Sequence, residues 1–419
     1  MSAGGSPSAT RRAARTPPAA GPDELILVCN AGSSSLRLGL VEAQSETERA
    51  SGHVDWTGGP ARIAVRRSSG PPIEEERPLQ GHAEAFARVL ELLGLGAGSG
   101  AELPVAIGHR VVHGGDRYTS AVRVTSEVLE HIRAWTPRAP LHHPASLAAI
   151  EAAARLLPGV PQYAAFDTAF HATLPEAARV YPLPRAWTRQ WGLRRYGFHG
   201  LSHAWAAGRA AAMLGRPNLR LVIAHLGAGA SVSAVRDGAC VDTSMGFTPL
   251  EGLMMGSRSG SIDPGLLLHL LRDRGVDAAR LDRALNEESG LLGVSGVSSD
   301  MRAVLAAQAS DPAARLAVEI YLHRLRREIG AMAATLGGLD ALVFTAGVGE
   351  NSAEIRRRAC AGLEHLGLRL DPAANAEGRP DVDSASSDSP ARILIIASRE
   401  DLTIVRELRP LLKATGGDR

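Results

Sequence analysis

The stretch Leu25-Ile26-Leu27-Val28-Cys29-Asn30-Ala31-Gly32-Ser33-Ser34-Ser35-Leu36-Arg37 decides how the chain is read. Leu25 to Cys29 is a short apolar run, the pattern of a buried strand. It breaks into small polar residues, where Gly32 admits a tight turn with positive φ. Leu36 to Val41 resumes as a second strand. The N–H groups of such a turn can wrap around an anion. Asn30, at the strand end, can reach a ligand or a metal-bound water. An ordinary serine-rich hairpin fits the same residues, because Ser and Gly turns are common.

The pattern recurs in the second half. Leu221 to Leu226 is an apolar strand, Gly227-Ala228-Gly229-Ala230-Ser231 turns it, and Val232 to Val235 alternates again. Asp237-Gly238 then signals a hairpin. Two related halves, each giving one anion-binding hairpin to a shared cleft, account for the repetition. Strands and helices alternate around them. Val105 to Val112 is a strand holding Arg110, and Tyr163 to Phe166 is a strand ending at Asp167. Val318 to Leu336 is a long helix stopped by Gly337. Ala341 to Thr345 leads through the Gly-rich loop Ala346 to Asn351 into a helix capped by Ser352. That order suits a phosphate at the helix N-terminus. Asp371 to Ser389 reads as a surface loop, Ile393 to Ile396 as a last strand, and Asp401 to Leu408 as a last helix stopped by Pro410.

Four strands run into glycine turns, at Gly32, Gly114, Gly227 and Gly347, which favours a nucleotide cleft. No Gly-Lys-Ser or Gly-Lys-Thr follows a glycine loop, so the pattern is not a P-loop. With 419 residues the chain is long enough for two domains. A net charge of +2 argues against nucleic acid or an acidic membrane as partner. Three scattered cysteines, Cys29, Cys240 and Cys360, fit a reducing compartment such as the cytoplasm. No apolar run reaches the ~20 residues of a membrane helix. Met1 to Pro22 reads as a disordered tail, with a transit peptide as the alternative.

Several residues carry chemistry. Arg110 puts a guanidinium in an apolar strand, where it must be paired or hold an anion. Its planar fork suits a carboxylate or phosphate, and a structural salt bridge is the alternative. Asp167 is a strand-end carboxylate. His199 stands beside Phe198 and Gly200. The Thr243 to Pro264 stretch is long, small and polar, as functional loops are. Within it Arg258 is suited to meet a transferring phosphoryl group.

Taken together, these stretches resemble the acetate kinase family. Asn30 to Arg37, Ile107 to Gly115, Phe166 to His171, Phe198 to His203, Met245 to Pro264, Ser299 to Arg302 and Gly347 to Asn351 match its motifs in order, across about Leu25 to Leu408. The resemblance implies an α/β, two-domain acetate and sugar kinase–actin (ribonuclease H-like) fold, with a duplicated βββαβαβα core and a central cleft. It implies a tail over 1–23, an acyl and metal side over 24–167 plus 400–419, and a nucleotide-binding and dimerisation domain over 168–399. The implied activity is reversible phosphoryl transfer from ATP to acetate, giving acetyl phosphate and ADP, in a cytoplasmic homodimer.

The implied roles follow residue by residue. Asn30 and Glu400 hold Mg²⁺, or Mn²⁺, largely through water. Arg110 binds the acetate carboxylate, while Val112, Leu141, Phe198 and Pro249 line a pocket for its methyl group. Asp167, His199 and Arg258 are catalytic. Ser33, Ser35 and Arg37 face the nucleotide phosphates. His225, Leu226, Gly227, Ala228 and Gly229 contact the nucleotide, as do Asp300, Met301, Arg302, Gly347, Val348, Gly349, Glu350 and Asn351. Gly347 and Gly349 leave room for an adenosine. The acceptor is already an anion, so Asp167 is expected to orient an arginine or a metal-bound water, although the family labels it an acid/base.

Departures from the pattern are confined to a few positions. Arg37 replaces the usual Lys, and Ala228 the usual Asn. His143 and Ser146, after Pro140-Leu141-His142, replace two asparagines. Arg399 stands beside Glu400 where Asn is usual, a cation next to a metal ligand. A propionate or butyrate kinase, an actin-like ATPase and a non-catalytic nucleotide sensor are the alternative readings.

Overall fold

The computed structural model describes residues 23–56, 59–95, 103–140 and 142–416. The tail read over Met1 to Pro22, and Leu141, lie outside the described residues. Asp23, placed in the tail by the sequence, belongs to the fold. Its carboxylate accepts hydrogen bonds from the N–H groups of Gln44 and Ser45, each at 2.8 Å.

The first sheet contains β1 Leu25–Ala31, β2 Ser35–Glu42, β3 Glu48–Asp55, β4 Ala61–Arg67, β5 Ile73–Arg77, β6 Ala106–Val111, β7 Val122–Arg123 and β8 Gln162–Phe166. Their spatial order is β5-β4-β3-β2-β1-β6-β8-β7. The second contains β9 Arg220–Leu226, β10 Ala230–Arg236, β11 Ala239–Thr243, β12 Ala341–Thr345, β13 Val382–Asp383 and β14 Arg392–Ile395, in the order β11-β10-β9-β12-β14-β13. Both sheets share one plan. A three-strand antiparallel meander, β1-β2-β3 or β9-β10-β11, is extended on the β1 or β9 side by two parallel strands, β6 and β8 or β12 and β14.

The turn between β1 and β2 corrects one expectation. Gly32 does not have positive φ. A Cβ there would stand 2.7 Å from Ser35 Oγ, so what favours glycine is a close side-chain approach, not handedness. Asp237 and Gly238, at φ 53° and 81°, do take the left-handed turn that β10 and β11 need.

Three other elements differ from expectation. The Ala346–Asn351 segment is a short helix, entered through Ala346 at φ 65°. Its two glycines hid it, since glycine is a poor helix former. Asp371 to Ser389 includes a helical turn, Pro372–Glu377, and the edge strand β13. The last helix runs Glu400–Gly416 straight past Pro410. Burial explains that continuation: Leu402, Val405 and Leu408 are buried, and Leu411 and Leu412 extend the same apolar contact beyond the proline.

That last helix lies against the first sheet, the helix Gly200–Leu214 lies against the second, and the two helices pack on each other. One apolar cluster joins Ile26, Val28 and Ala165 of the first sheet to Leu221, Ile223, Ala341 and Val343 of the second. The parallel strands therefore end side by side. Asn30, Arg110, Asp167, His225 and Ala346, at or just past the ends of β1, β6, β8, β9 and β12, face one cleft, where ligands bind in open α/β sheets.

Candidate active site

Asp167, one residue past β8, is buried. It accepts from Arg110 Nε at 3.0 Å and from Nη2 at 2.6 Å. Nη1 of the same fork lies 3.3 Å from Asn30 Oδ1 and 3.3 Å from Glu400 Oε2. Burial acts against the Arg110 charge, but Asp167 and Glu400 outweigh it and raise the pKa. Burial also raises the Asp167 pKa, against the pull of Arg110. The two parallel hydrogen bonds mark an ion pair. Asn30 Nδ2 donates to Glu400 Oε2 at 3.2 Å, so β1, β6, β8 and the last helix meet in one network.

Opposite this network sit two histidines. His199 has φ 58° and ψ 23°, a left-handed N-cap for the helix Gly200–Leu214. A non-glycine residue held there stores strain. Its ring stacks on His225, with centroids 4.2 Å apart. His199 Nδ1 lies 3.0 Å from Ser231 Oγ, which also meets His203 Nε2 at 2.8 Å. His225 Nδ1 lies 2.8 Å from Ser202 Oγ. Burial pushes His199 well below the ordinary imidazole value, with His225 and Arg110 adding to it. His225 falls to about 3 for the same reason, with Arg110 adding to it. Both rings are neutral at pH 7.

Arg258 closes the site. Its Nη1 donates to the carbonyl of Pro249 at 3.0 Å and approaches Met255 Sδ at 3.8 Å. No carboxylate is bonded to it among the described residues, and burial lowers its pKa. A Cβ on Gly229 would stand 3.3 Å from His199 Nε2 and 3.5 Å from Arg258 Nη1. The Gly227–Gly229 turn, the imidazole and the guanidinium thus converge, and a side chain at Gly229 would press on both. The Gly256 N–H donates to the Ala228 carbonyl at 3.1 Å, tying the Arg258 loop to that turn.

Behind the turn lies a cavity of ≈ 580 Å³. Gly227, Ala228, Asp300, Met301, Arg302, Gly347, Val348 and Asn351 are among its lining residues. This volume suits a small organic ligand. A Cβ at Gly347 would meet nothing within 4 Å, whereas Gly349 packs against Phe344 and Ala224. The open floor therefore belongs to Gly347, and the expectation for Gly349 is corrected. Leu226 is fully buried in the core, so only its backbone can reach a ligand. Glu350 is turned to Ser398, whose N–H donates to it at 2.8 Å.

A second space, of ≈ 340 Å³, joins Asn30, Arg37, Glu48, Gly347, Glu350, Glu400 and Asp401. Arg399 does not crowd it with free charge: its guanidinium is bonded to Asp401 at 2.8–3.2 Å. Ser35 and Arg37 line a further groove, and Ser33 is exposed at the tip of the turn. Val112 and Phe198 pack in one apolar cluster with Tyr196 and Ala139. Ser146 Oγ donates to the Arg110 carbonyl at 3.3 Å, and His143 Nε2 accepts from the His113 N–H at 3.1 Å.

One residue given no role from the sequence belongs here. His142 is forced down to about 3 by burial and by the charges of Arg258 and Arg110, so it lies near both arginines. Ser202 and Ser231 are the other omissions, as the direct partners of His225 and His199. Their only sequence signal is position: Ser202 follows His199 within one helical turn, and Ser231 is the second residue of the strand after the glycine turn.

The acetokinase family profile matches residues 25–406. The chain belongs to the acetokinase family. It is 50% identical over 404 residues to an acetate kinase of a Synechococcus species, covering 93% of this chain and 99% of that protein. An acetate kinase of a Cyanothece species is 48% identical over 402 residues, with 93% and 98% covered. Among solved structures, Porphyromonas gingivalis acetate kinase superposes with a TM-score of 0.84 at 38% identity, covering 93% of this chain and 100% of that one. A propionate kinase from Francisella tularensis gives 0.85 at 36% identity, with 92% and 98% covered. The fold is the mixed α/β acetate and sugar kinase–actin type that the resemblance implied. Within an acetokinase, the duplicated meanders are the two halves that enclose the cleft.

Proposed function

We propose that the chain transfers the γ-phosphoryl group of ATP to acetate, reversibly, giving acetyl phosphate and ADP. The observation that carries this reading is Arg258. A partly buried guanidinium, with no carboxylate bonded to it among the described residues, stands at the Gly227–Gly229 turn that borders the ≈ 580 Å³ cavity. Phosphoryl transfer asks a protein for positioning and charge neutralisation more than for covalent help.

The nucleotide lies in the cavity, its adenosine over Gly347 and its phosphates at the Gly227–Gly229 turn. Acetate lies with its carboxylate toward Arg110 and its methyl group against Val112, Phe198 and Pro249. A carboxylate oxygen attacks phosphorus, the bond to the β-phosphate oxygen breaks, and ADP leaves with the electron pair. Arg258 and neutral His199 meet the equatorial oxygens. No proton is removed from the acceptor, so Asp167 serves to fix the Arg110 fork. Ala228 offers only its backbone where the family's Asn offers a side chain.

The metal reading fits the donor set. Asn30 and Glu400 are oxygen ligands beside the acid-lined ≈ 340 Å³ space, and Mg²⁺ accepts few protein ligands and keeps its waters. Bound there, it would neutralise phosphate charge; Mn²⁺ suits the same oxygens. Exposed apolar side chains support a homodimer: Trp187, Trp191, and Leu266, Leu268 and Leu271 on the helix Pro264–Asp273. Three buried, unpaired cysteines fit the cytoplasm.

Initial rates with ATP, Mg²⁺ and acetate, propionate or butyrate test the reading, with the acyl phosphate trapped by hydroxylamine. ATP hydrolysis without hydroxamate would refute it. Faster turnover of propionate would move the chain to the activity named for the Francisella neighbour.

A further inference from the structure

The open face of the first sheet carries a row of side chains that leads away from the cleft. Register pairs Asn30 with Arg37, Arg37 with His53, and His53 with Ala64. One step along the strands, Ser51 pairs with Arg66. The opposite face is sealed by Leu36, Leu38, Val54, Ile63 and Val65, packed with Phe86 and Val89 of the helix His82–Leu93. A groove of ≈ 500 Å³ lies on the open face, and Arg37, Arg66, His53 and Arg110 line it with no Asp or Glu among the lining residues.

Arg37 and Arg66 are exposed, and neither is bonded to another described residue. Burial and the Arg37 charge lower the His53 pKa, and Asp55 opposes them. Neighbouring strands are ~4.8 Å apart and Arg66 lies two residues along β4 from the position level with Arg37, so the two side chains leave the backbone about 12 Å apart. Ser51 and His53 stand between them, and Ala64 leaves the space above itself open. Two long side chains can therefore close on one ligand from opposite sides. Guanidinium forks bind carboxylate and phosphate bidentately.

We propose that this groove binds a small polyanion carrying two phosphate or carboxylate groups, a diphosphate or a dicarboxylate. Arg66 grips one group and Arg37 the other, with His53 donating between them. Arg37 and Asn30 line both this groove and the acid-lined space beside the nucleotide cavity. A bound polyanion therefore withdraws Arg37 from the nucleotide phosphates and inhibits turnover. The inhibition rests on the phosphotransferase reading; the binding does not.

Calorimetric titration of the full chain with pyrophosphate and with succinate, without Mg²⁺ or nucleotide, tests this on wild type, Arg66→Ala and Arg66→Lys. Wild type is expected to bind at least one probe, and Arg66→Ala to weaken that Kd about tenfold or more, as loss of a charge-assisted hydrogen bond does. Arg66→Lys should recover part of the loss. Without probe, Arg66→Ala should keep kcat and both KM values within about twofold of wild type, and the probe's inhibition constant should rise in step with its Kd. Binding of pyrophosphate alone identifies the phosphate source, and binding of succinate alone the carboxylate source. No binding of either probe, or an Arg66→Ala Kd equal to wild type, overturns the proposal. If acetate phosphorylation is absent but the Arg66-dependent Kd remains, the functional reading fails and the groove stands.

Discussion

Arg110 and Asp167 are joined by two parallel hydrogen bonds, Nε to Oδ1 at 3.0 Å and Nη2 to Oδ2 at 2.6 Å. The carboxylate thus occupies the fork that a substrate carboxylate would otherwise take, leaving Nη1 turned toward Asn30 and Glu400. On the proposed reading, acetate meets the outward edge of a guanidinium already held in place. Asp167→Asn keeps the shape and removes the charge. Breaking a buried pair in this way costs about 3–5 kcal/mol of stability. Urea unfolding should show that loss, and kcat should fall on the order of 10²-fold or more as Arg110 swings free. An Asp167→Asn enzyme with wild-type kcat would show that the pair is structural.

Arg258 behaves in the opposite sense toward stability. Its partly buried charge has no carboxylate bonded to it among the described residues, so Arg258→Ala should leave the unfolding midpoint unchanged or raise it. Its kcat should drop on the order of 10²–10³ or more, with a much smaller change in KM for acetate. Activity within tenfold of wild type would remove Arg258 from the mechanism.

Buried histidines separate stability from activity on the pH axis. Burial holds His109, His143 and His171 down near 4, and His113, His142 and His225 near 3. Their folded values lie below the unfolded value of about 6.5, so below that pH the unfolded chain binds more protons. Their stabilising contribution is whole above pH ~6.5 and is lost as pH falls, by up to about 1.4 kcal/mol per unit for each ring. The melting temperature should therefore fall steeply from pH 6.5 to 5. Over the same range kcat/KM of the still-folded enzyme should stay flat, because no site histidine titrates there. An inflection of kcat/KM near 6.5 would contradict the neutral assignment of His199 and His225.

On the proposed reading, Val112 sets the depth of the methyl pocket. It packs with Phe198, Tyr196 and Ala139. One methylene in such a pocket is worth ~1–3 kcal/mol, so propionate should be a measurable but poorer substrate. Val112→Ala should raise kcat/KM for propionate relative to acetate by up to about that energy. A ratio untouched by the substitution would place the acyl group elsewhere.

Much of this was legible in the chain itself. The two hairpins at Leu25 and Leu221 stand out because a buried strand is an unbroken apolar run on either side of a glycine turn. Gly337 and Ser352 announce helix ends because their backbone and side-chain roles there are local. What was hidden depends on partners distant in sequence. β3 to β5 alternate charged residues such as Arg62 and Arg66 with Ile63 and Val65, a pattern of one covered face that a search for apolar runs passes over. Pro410 reads as a stop unless the apolar contact beyond it is known. His142 and Ser231 acquire meaning only once Arg258 and His199 are brought beside them.

The shared apolar cluster beneath the cleft has a further consequence. Ile26 and Val28 lie in one half, Leu221 and Val343 in the other, and the two helices that cover them, Glu400–Gly416 and Gly200–Leu214, pack on each other. Each half has a core of its own on the far face of its sheet, but neither closes this floor by itself. A chain severed near residue 167 would yield two pieces, each with its greasy underside facing water. They should precipitate when made singly and recover solubility only when produced together. Opening of the cleft must accordingly be a rocking about this common floor, since parting the halves would lay the floor bare.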